Sequence, residues 1–168
     1  MALINRTDIQ VFRQISNSVY DDVLNQHILD AQFVDLQDLM GMDFYNDLIR
    51  NSASVANTSL LDGGTYTYNG ITYTNVGLKA VLSHYAYARY IMFGSQTDTP
   101  FGFVEKSTQE SNAVSEGGKK TMFKMNQQTA YKYWENVVAF LNRKAVDYPL
   151  WKNGCIQTKS TFRISKIG

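Results

Sequence analysis

Chemistry near neutral pH needs a group that titrates there, and histidine or cysteine usually supplies it. The chain has two histidines, His27 and His84, and one cysteine, Cys155. The histidines fall on different helical segments, and neither stands at a metal-ligand spacing. His27 and Asp30 are three residues apart on one helix, a pairing common on helix surfaces, and no third group completes an acid–base set. Cys155 has no histidine nearby in sequence to mark it as a nucleophile, so a packed or idle thiol is expected. Asp30, Asp35 and Asp38 read as a solvated helix face, because they do not converge as cation ligands on a loop do. The run "SEGGKKT" lacks the first glycine of a phosphate-binding loop and the buried strand before it, and reads as a hinge before the last helix. No catalytic residue, metal or cofactor is expected, and the chain is not read as an enzyme.

The tail, "LWKNGCIQTKSTFRISKIG", carries Lys152, Lys159, Arg163 and Lys166 and no acid. With Phe162 and Trp151 it could touch phosphates and stack on bases. Pairing with an acidic protein surface is the preferred reading, because the rest of the chain offers no basic groove. The alternation of Phe162, Ile164 and Ile167 with Arg163, Ser165 and Lys166 is that of a strand.

Such side chains need elements to hold them. With 168 residues, 44% hydrophobic and 18% charged, the chain is long and apolar enough for one globular domain with a real core. Its abundant Asn, Gln, Ser, Thr and Tyr give a weakly charged polar surface suited to protein contacts. Charge is unevenly placed. Residues 1–64 hold three basic side chains (Arg6, Arg13, Arg50) and nine acidic ones, and the remainder thirteen basic and six acidic, so −6 and +7 make the net +1. Either the two parts neutralise each other within one subunit, or the acidic part of one copy attracts the basic part of the next. No signal pattern opens the chain and no apolar run reaches the roughly 20 residues of a membrane helix, so a soluble, non-secreted protein in a reducing compartment is expected.

"RTDIQVFRQIS" predicts a first helix capped by Thr7, with Ile9, Phe12 and Ile15 on one side. "DDVLNQHILDAQFVDLQDLMG" predicts a longer one, capped by Asp21 or Asp22 and stopped at Gly41. At 100° per residue its apolar residues form two stripes, Leu24, Ile28, Ala31 and Leu39, then Leu29, Phe33, Leu36 and Met40. Either the helix is wedged between others, or one stripe faces a neighbouring subunit, for which the second is the candidate. A short helix follows from Asp43, and "NSASVANTSLLD" (residues 51–62) reads as a loop. "NVGLKAVLSHYAYARYIMFG" is apolar nearly all round and reads as a buried central rod. Residues 95–118 read as a long polar loop, with "PFGFVEK", which contains Phe101 and Phe103, a short strand inside it. A last helix spans about 119–145 with Phe123, Ala130, Trp134, Val137, Leu141 and Ala145 on one face, ended by Tyr148-Pro149.

Between the helices, "GGTYTYNGITYTNVGL" predicts a hairpin closed by Asn69-Gly70. Tyr68 then pairs with Ile71, Tyr66 with Tyr73, Thr67 with Thr72 and Thr65 with Thr74. Tyr66, Tyr68, Ile71 and Tyr73 share one face and the threonines the other. So short a hairpin needs its aromatic face covered, by its own helices or by a neighbour. The expected fold is mainly α: a helical bundle around a buried central helix over residues 1–150, with a small β-hairpin at 64–74 and an extended C-terminal arm at 151–168.

"ILDAQFVDLQDLMGMDFYNDL" resembles the helix pair of head-to-tail connector proteins of tailed bacteriophages, in which an alanine-bearing amphipathic helix ends at Leu-x-Gly before a short aromatic helix. "GLKAVLSHYAYARYI" resembles their buried central helix, and "TDTPFGFVEK" the glycine-containing segment after it. The resemblance spans roughly residues 20–146 and is nearest to the ring proteins of crAss-like phages. It implies a virion neck component, assembled in the bacterial cytoplasm, that docks on the portal as a homo-oligomeric, dodecameric ring. Such a ring extends the channel for genomic DNA, reads no sequence, and presents a surface to a further neck or tail protein. Candidate interface residues are Tyr66, Tyr68, Ile71 and Tyr73 of the hairpin, Leu29, Phe33 and Leu36 of the second stripe, Phe101 and Phe103, and Phe162, Arg163 and Ile164 of the arm. Other readings are a tail-completion or stopper protein, though stoppers are usually β-rich, and a small helical nucleic-acid-binding or regulatory module.

Overall fold

The computed structural model describes residues 1–94, 96–99, 102–105 and 114–152, with 96–99 and 102–105 described as backbone strands. α1 (Arg6–Phe12) is capped by Asn5, not Thr7. Asn5 accepts from the Asp8 N–H while the Asp8 carboxylate accepts from the Asn5 N–H, so two orphan donors are satisfied reciprocally. Arg6 then organises the connection to the next helix. Its guanidinium donates to the carbonyls of Asn17 and Val19 and pairs with Asp21 at 2.7 Å.

α2 (Asp21–Asp30) starts without a side-chain cap and runs through a π-helical stretch (Ala31–Leu36) into α3 (Gln37–Met40), which Gly41 stops at φ 80°. In the π stretch the Gln37 N–H donates to the Gln32 carbonyl, five residues back. The wider turn advances less per residue than an α-helix, so the expected pair of stripes does not form. Leu24, Ile28, Gln32, Leu36 and Met40, every fourth residue, are all buried along one line. Leu36 is therefore a core residue and not part of a free face, while Phe33 is turned outward.

Burial of Gln32 is compensated. Its Oε1 accepts from the Leu3 N–H at 2.9 Å, and its Nε2 donates to the Met1 carbonyl and to Tyr45 Oη. Each of those groups would cost about 1–3 kcal/mol if left buried and unpaired.

α4 (Met42–Arg50) follows Gly41 directly. The segment read as a loop contains α5 (Val55–Asp62): Ser54 Oγ accepts from the Asn57 N–H, and Leu60 and Leu61 anchor the helix in the core. The cap and the paired leucines outweigh the low helix propensity of Asn, Thr and Ser.

β1 (Gly64–Tyr68) and β2 (Ile71–Asn75) pair antiparallel in the expected register, with Asn69 at φ 51° and Gly70 at φ 76° making the turn. At the base, Gly63 and Gly77 lie back to back. A Cβ on Gly77 would stand 2.5 Å from the Leu61 carbonyl oxygen, and one on Gly63 2.5 Å from that of Asn75.

α6 (Leu78–Phe93) is the central rod, packed against α1, α2, α5 and the last helix. From Leu82 to Tyr85 every residue is buried, whereas Arg89 to Phe93 emerge towards the surface. The long segment after it is no plain loop, because β3 (Gln96–Thr99) pairs antiparallel with β4 (Gly102–Glu105). α7 (Glu116–Arg143) begins earlier than expected because Ser115 caps it by accepting from the Gly118 N–H. Gly117 and Gly118 thus lie inside its first turn and form no hinge. Ala130, Trp134, Val137 and Leu141 face the core as expected and Phe140 joins them, while Ala145 is exposed.

Trp151 is not the start of an arm. It is 7% exposed, packs edge-on against Trp134 and at a tilt against Phe44, and donates from Nε1 to Asn142 Oδ1. Buried in this way, it is closed to nucleic-acid bases, and the domain runs at least to it. Residues 153–168, with Cys155, Phe162, Arg163 and Ile164, lie outside the described residues, as do Phe101 and the side chain of Phe103.

Candidate functional site

The aromatic hairpin lies on its own subunit. Tyr66 packs edge-on against Phe140 with ring centres 4.9 Å apart and stacks on Tyr73 at 5.7 Å. Arg143 closes the group, with its guanidinium 3.7 Å above the Tyr73 ring and a 2.8 Å hydrogen bond to Tyr66 Oη. Asn136 fastens the end of β2 to α7: its Oδ1 accepts from the Val76 N–H, and its Nδ2 donates to the Thr74 carbonyl. Tyr66 and Tyr73 are half-buried, whereas Tyr68 and Ile71 at the tip are 39% and 56% exposed. The base of the plate is internal packing and its tip is open.

Tyr66→Ser is therefore expected to lower subunit stability by about 2 kcal/mol or more, as loss of a packed aromatic does. Ile71→Ser is expected to stay within about 0.5 kcal/mol of the parent. Urea unfolding of the two variants checks this, and equal effects would place the tyrosine outside the core.

The π stretch creates a second open surface. Phe33 and Val34 are 54% and 57% exposed, with Phe33 leaning on the Tyr45 ring at 5.9 Å. Leu29 is half-buried beside them. The residues opposite the buried line, Asp22, Gln26, Asp30, Val34 and Asp38, are all exposed and also recur every fourth position.

A third surface is the outer side of α7. Met125 and Tyr131 are exposed there, and Lys124, Gln128 and Lys132 lie beside them on the same open helix face. Lys132 is tied to Glu135 at 2.9 Å, and Lys120 to Glu116 at 2.5 Å.

The charge split is partly settled inside the subunit. Lys79 bridges Asp62 at 2.8 Å and Asp8 at 3.4 Å, and Asp62 beside it holds the Lys79 ammonium above its ordinary pKa. Arg89 pairs with Asp35 at 2.8 Å, so Asp35 is not a solvated acid. Asp22, Asp30 and Asp38 make no ion pair among the described residues.

His84 is a buried core residue. It is 1% exposed, its ring lies edge-on to Tyr133 at 4.9 Å, and neither nitrogen has a hydrogen-bond partner among the described residues. Burial first, and the Arg13 guanidinium second, lower its pKa to about 4. Asn126 pulls the other way, but its amide is committed to Arg13 Nε and the Met122 carbonyl. His27, half-buried near Asp30, is also shifted down, chiefly by desolvation. The two histidines do not meet in one site; His84 packs with Phe12 and Tyr133, His27 with Tyr90. The signal in sequence was His84's place on the all-apolar helix.

An open cleft of about 450 Å³ lies between α5, the hairpin base and the end of α7, with Lys144 and Asp147 at its rim. The Asn75 amide on its wall is already engaged, donating to the Ser59 carbonyl and accepting from the Gly77 N–H. Among the described residues no group of three or more His, Cys, Asp or Glu is placed to hold a metal ion, and no helix is long and apolar enough to cross a membrane.

No curated protein matches the chain, and no solved structure does. A family of unknown function, DUF6712, matches residues 36–161, three-quarters of the length, from the end of the π stretch through every later element. The chain therefore belongs to the DUF6712 family.

Proposed function

We propose that the protein is a structural component of a bacteriophage neck, a head-to-tail connector that closes into a ring against the portal. The order of elements supports the reading. The segments that resemble connector proteins fold as a helix pair hinged at Gly41, a buried central helix, and a strand pair containing Gly102, with a long helix after them. The open Phe33–Val34 surface adds to it, since adjacent apolar side chains held in water are a feature of contact surfaces. In this reading about twelve copies surround the DNA channel without reading sequence, and the face away from the portal receives the next neck or tail protein. The site of action is the head–tail junction of the virion, after assembly in the bacterial cytoplasm.

Mixing the purified chain with the portal of the same phage is expected to yield a ring of this chain stacked on the portal in electron micrographs. A reconstruction of the virion neck that contains no copy of the chain beside the portal would sink the proposal. Density at the far end of the neck would reassign the chain as a tail-completion protein.

A further inference from the structure

Two helical ridges carry opposite charge along rows of the same four-residue step, with Asp22, Asp30 and Asp38 on one and Lys120, Lys124 and Lys132 on the other. On α2, the π stretch and α3, the exposed line is Asp22, Gln26, Asp30, Val34 and Asp38, and none of its aspartates makes an ion pair among the described residues. On α7 the exposed line is Lys120, Lys124, Gln128 and Lys132. Lys120 is paired with Glu116 and Lys132 with Glu135, both exposed pairs that a stronger partner can displace, and Lys124 makes no ion pair among the described residues. Each line advances by four residues per step, the row that packs into the matching row of another helix in the commonest form of helix contact. Each also has apolar side chains beside the charges, Phe33 on the first and Met125 and Tyr131 on the second.

We propose that the acidic ridge of one copy seats against the lysine ridge of a second copy, with Phe33 packing on the exposed side chains of Met125 and Tyr131. The contact is heterologous, so it propagates from copy to copy and closes when the rotation per step permits. It rests on the ring reading for closure, but the pairing itself is carried by the two ridges. Long-range attraction steers the approach, and the apolar side chains set the residence time.

A charge-swap experiment on the full chain tests it. Variant one carries Asp30→Lys and Asp38→Lys, and variant two carries Lys124→Glu and Lys132→Glu. All four positions are exposed, so both are expected to keep the parent melting temperature to within a few degrees. In sedimentation velocity, and on the portal, each alone is expected to self-associate about tenfold more weakly or worse, because like ridges then meet. Mixed in equal amounts they are expected to assemble again, alternating around the ring. Variants that associate like the parent, or a mixture that fails to recover, overturn the pairing, as does a parent chain that stays monomeric both alone and with the portal. A ring on the portal that ignores the swaps would leave the connector reading standing while removing this contact. Swap-sensitive assembly with no copy in the neck would do the reverse. Duplex DNA binding that is lost in variant two, with self-association unchanged, would assign the lysine ridge to phosphates and also overturn the proposal.

Discussion

Gly77→Ala is expected to destabilise the subunit by about 3 kcal/mol or more, adding the penalty for a left-handed non-glycine residue to that for overpacking. Gly77 sits at φ 80°, and its new Cβ would meet backbone, the Leu61 carbonyl oxygen at 2.5 Å and the Gly63 nitrogen at 2.6 Å. Backbone cannot swing aside as a side-chain end can, so the end of α5 and the start of α6 would have to separate. For a chain of this size each kcal/mol moves the melting temperature by about 2–4 °C, so a fall of about 6–12 °C is expected. Gly70→Ala is the control. It has a similar φ, 76°, and nothing within 4 Å of its added Cβ, so it carries only the conformational part. Equal melting temperatures for the two variants would mean that the glycine crossing is not close.

The second large effect is on pH dependence. The His84 imidazole is held neutral in the fold down to pH about 4, against an ordinary 6.5, chiefly by burial. The unfolded chain takes up a proton below 6.5 and the folded one does not, so stability is complete above 6.5. It falls as pH drops from there towards 4. The contribution lost between pH 7 and 5 is about 2 kcal/mol, and rises to about 3 kcal/mol near pH 4. His84→Phe keeps the edge-on contact with Tyr133 and removes two nitrogens that lack partners among the described residues. It is expected to be neutral or stabilising at pH 7, where replacing a polar group buried without partners relieves its desolvation. Urea titrations at pH 7 and pH 5 then decide. The parent is expected to lose about 2 kcal/mol more than the variant between the two conditions. Parallel losses would show that His84 is solvated or paired in the fold.

The mainly helical architecture with its small hairpin was legible in the sequence because its signals are local. Asn69-Gly70 permits little but a tight two-residue turn, and the Tyr/Thr alternation then sets every pair of the register. The central helix was legible because an all-apolar helix has nowhere to go but inside. Signals that depend on geometry further along the chain were hidden. The π stretch altered the angle per residue partway along one helix, so a uniform 100° split into two stripes what is one buried line through Leu36. α5 was hidden because its capping serine and two leucines sit among residues of poor helix propensity. Trp151 was assigned to the tail because nothing in sequence announces that Phe44, Trp134 and Asn142 converge on it. On the candidate surfaces, the tyrosines were recognisable as a plate, but which body they cover is a tertiary fact settled by Phe140, Asn136 and Arg143. The acidic ridge runs through the π stretch and was out of reach in the same way, whereas the lysine ridge is a plain four-residue row on α7.

The π stretch has a consequence for how relatives can diverge. It works as a phase joint: the helix before it and the helix after it are locked to different neighbours, and one extra residue between them keeps their buried lines continuous. The family match begins at Leu36, the last residue of that joint. A relative with one residue fewer there would turn its leading helix by about 100° while everything downstream stayed seated, so the positions of Leu24 and Ile28 would have to be refilled by other apolar residues. One deletion would thus redirect the outward line of charges without touching a core residue after the joint, a route by which subunits of one fold acquire neighbours of a different kind.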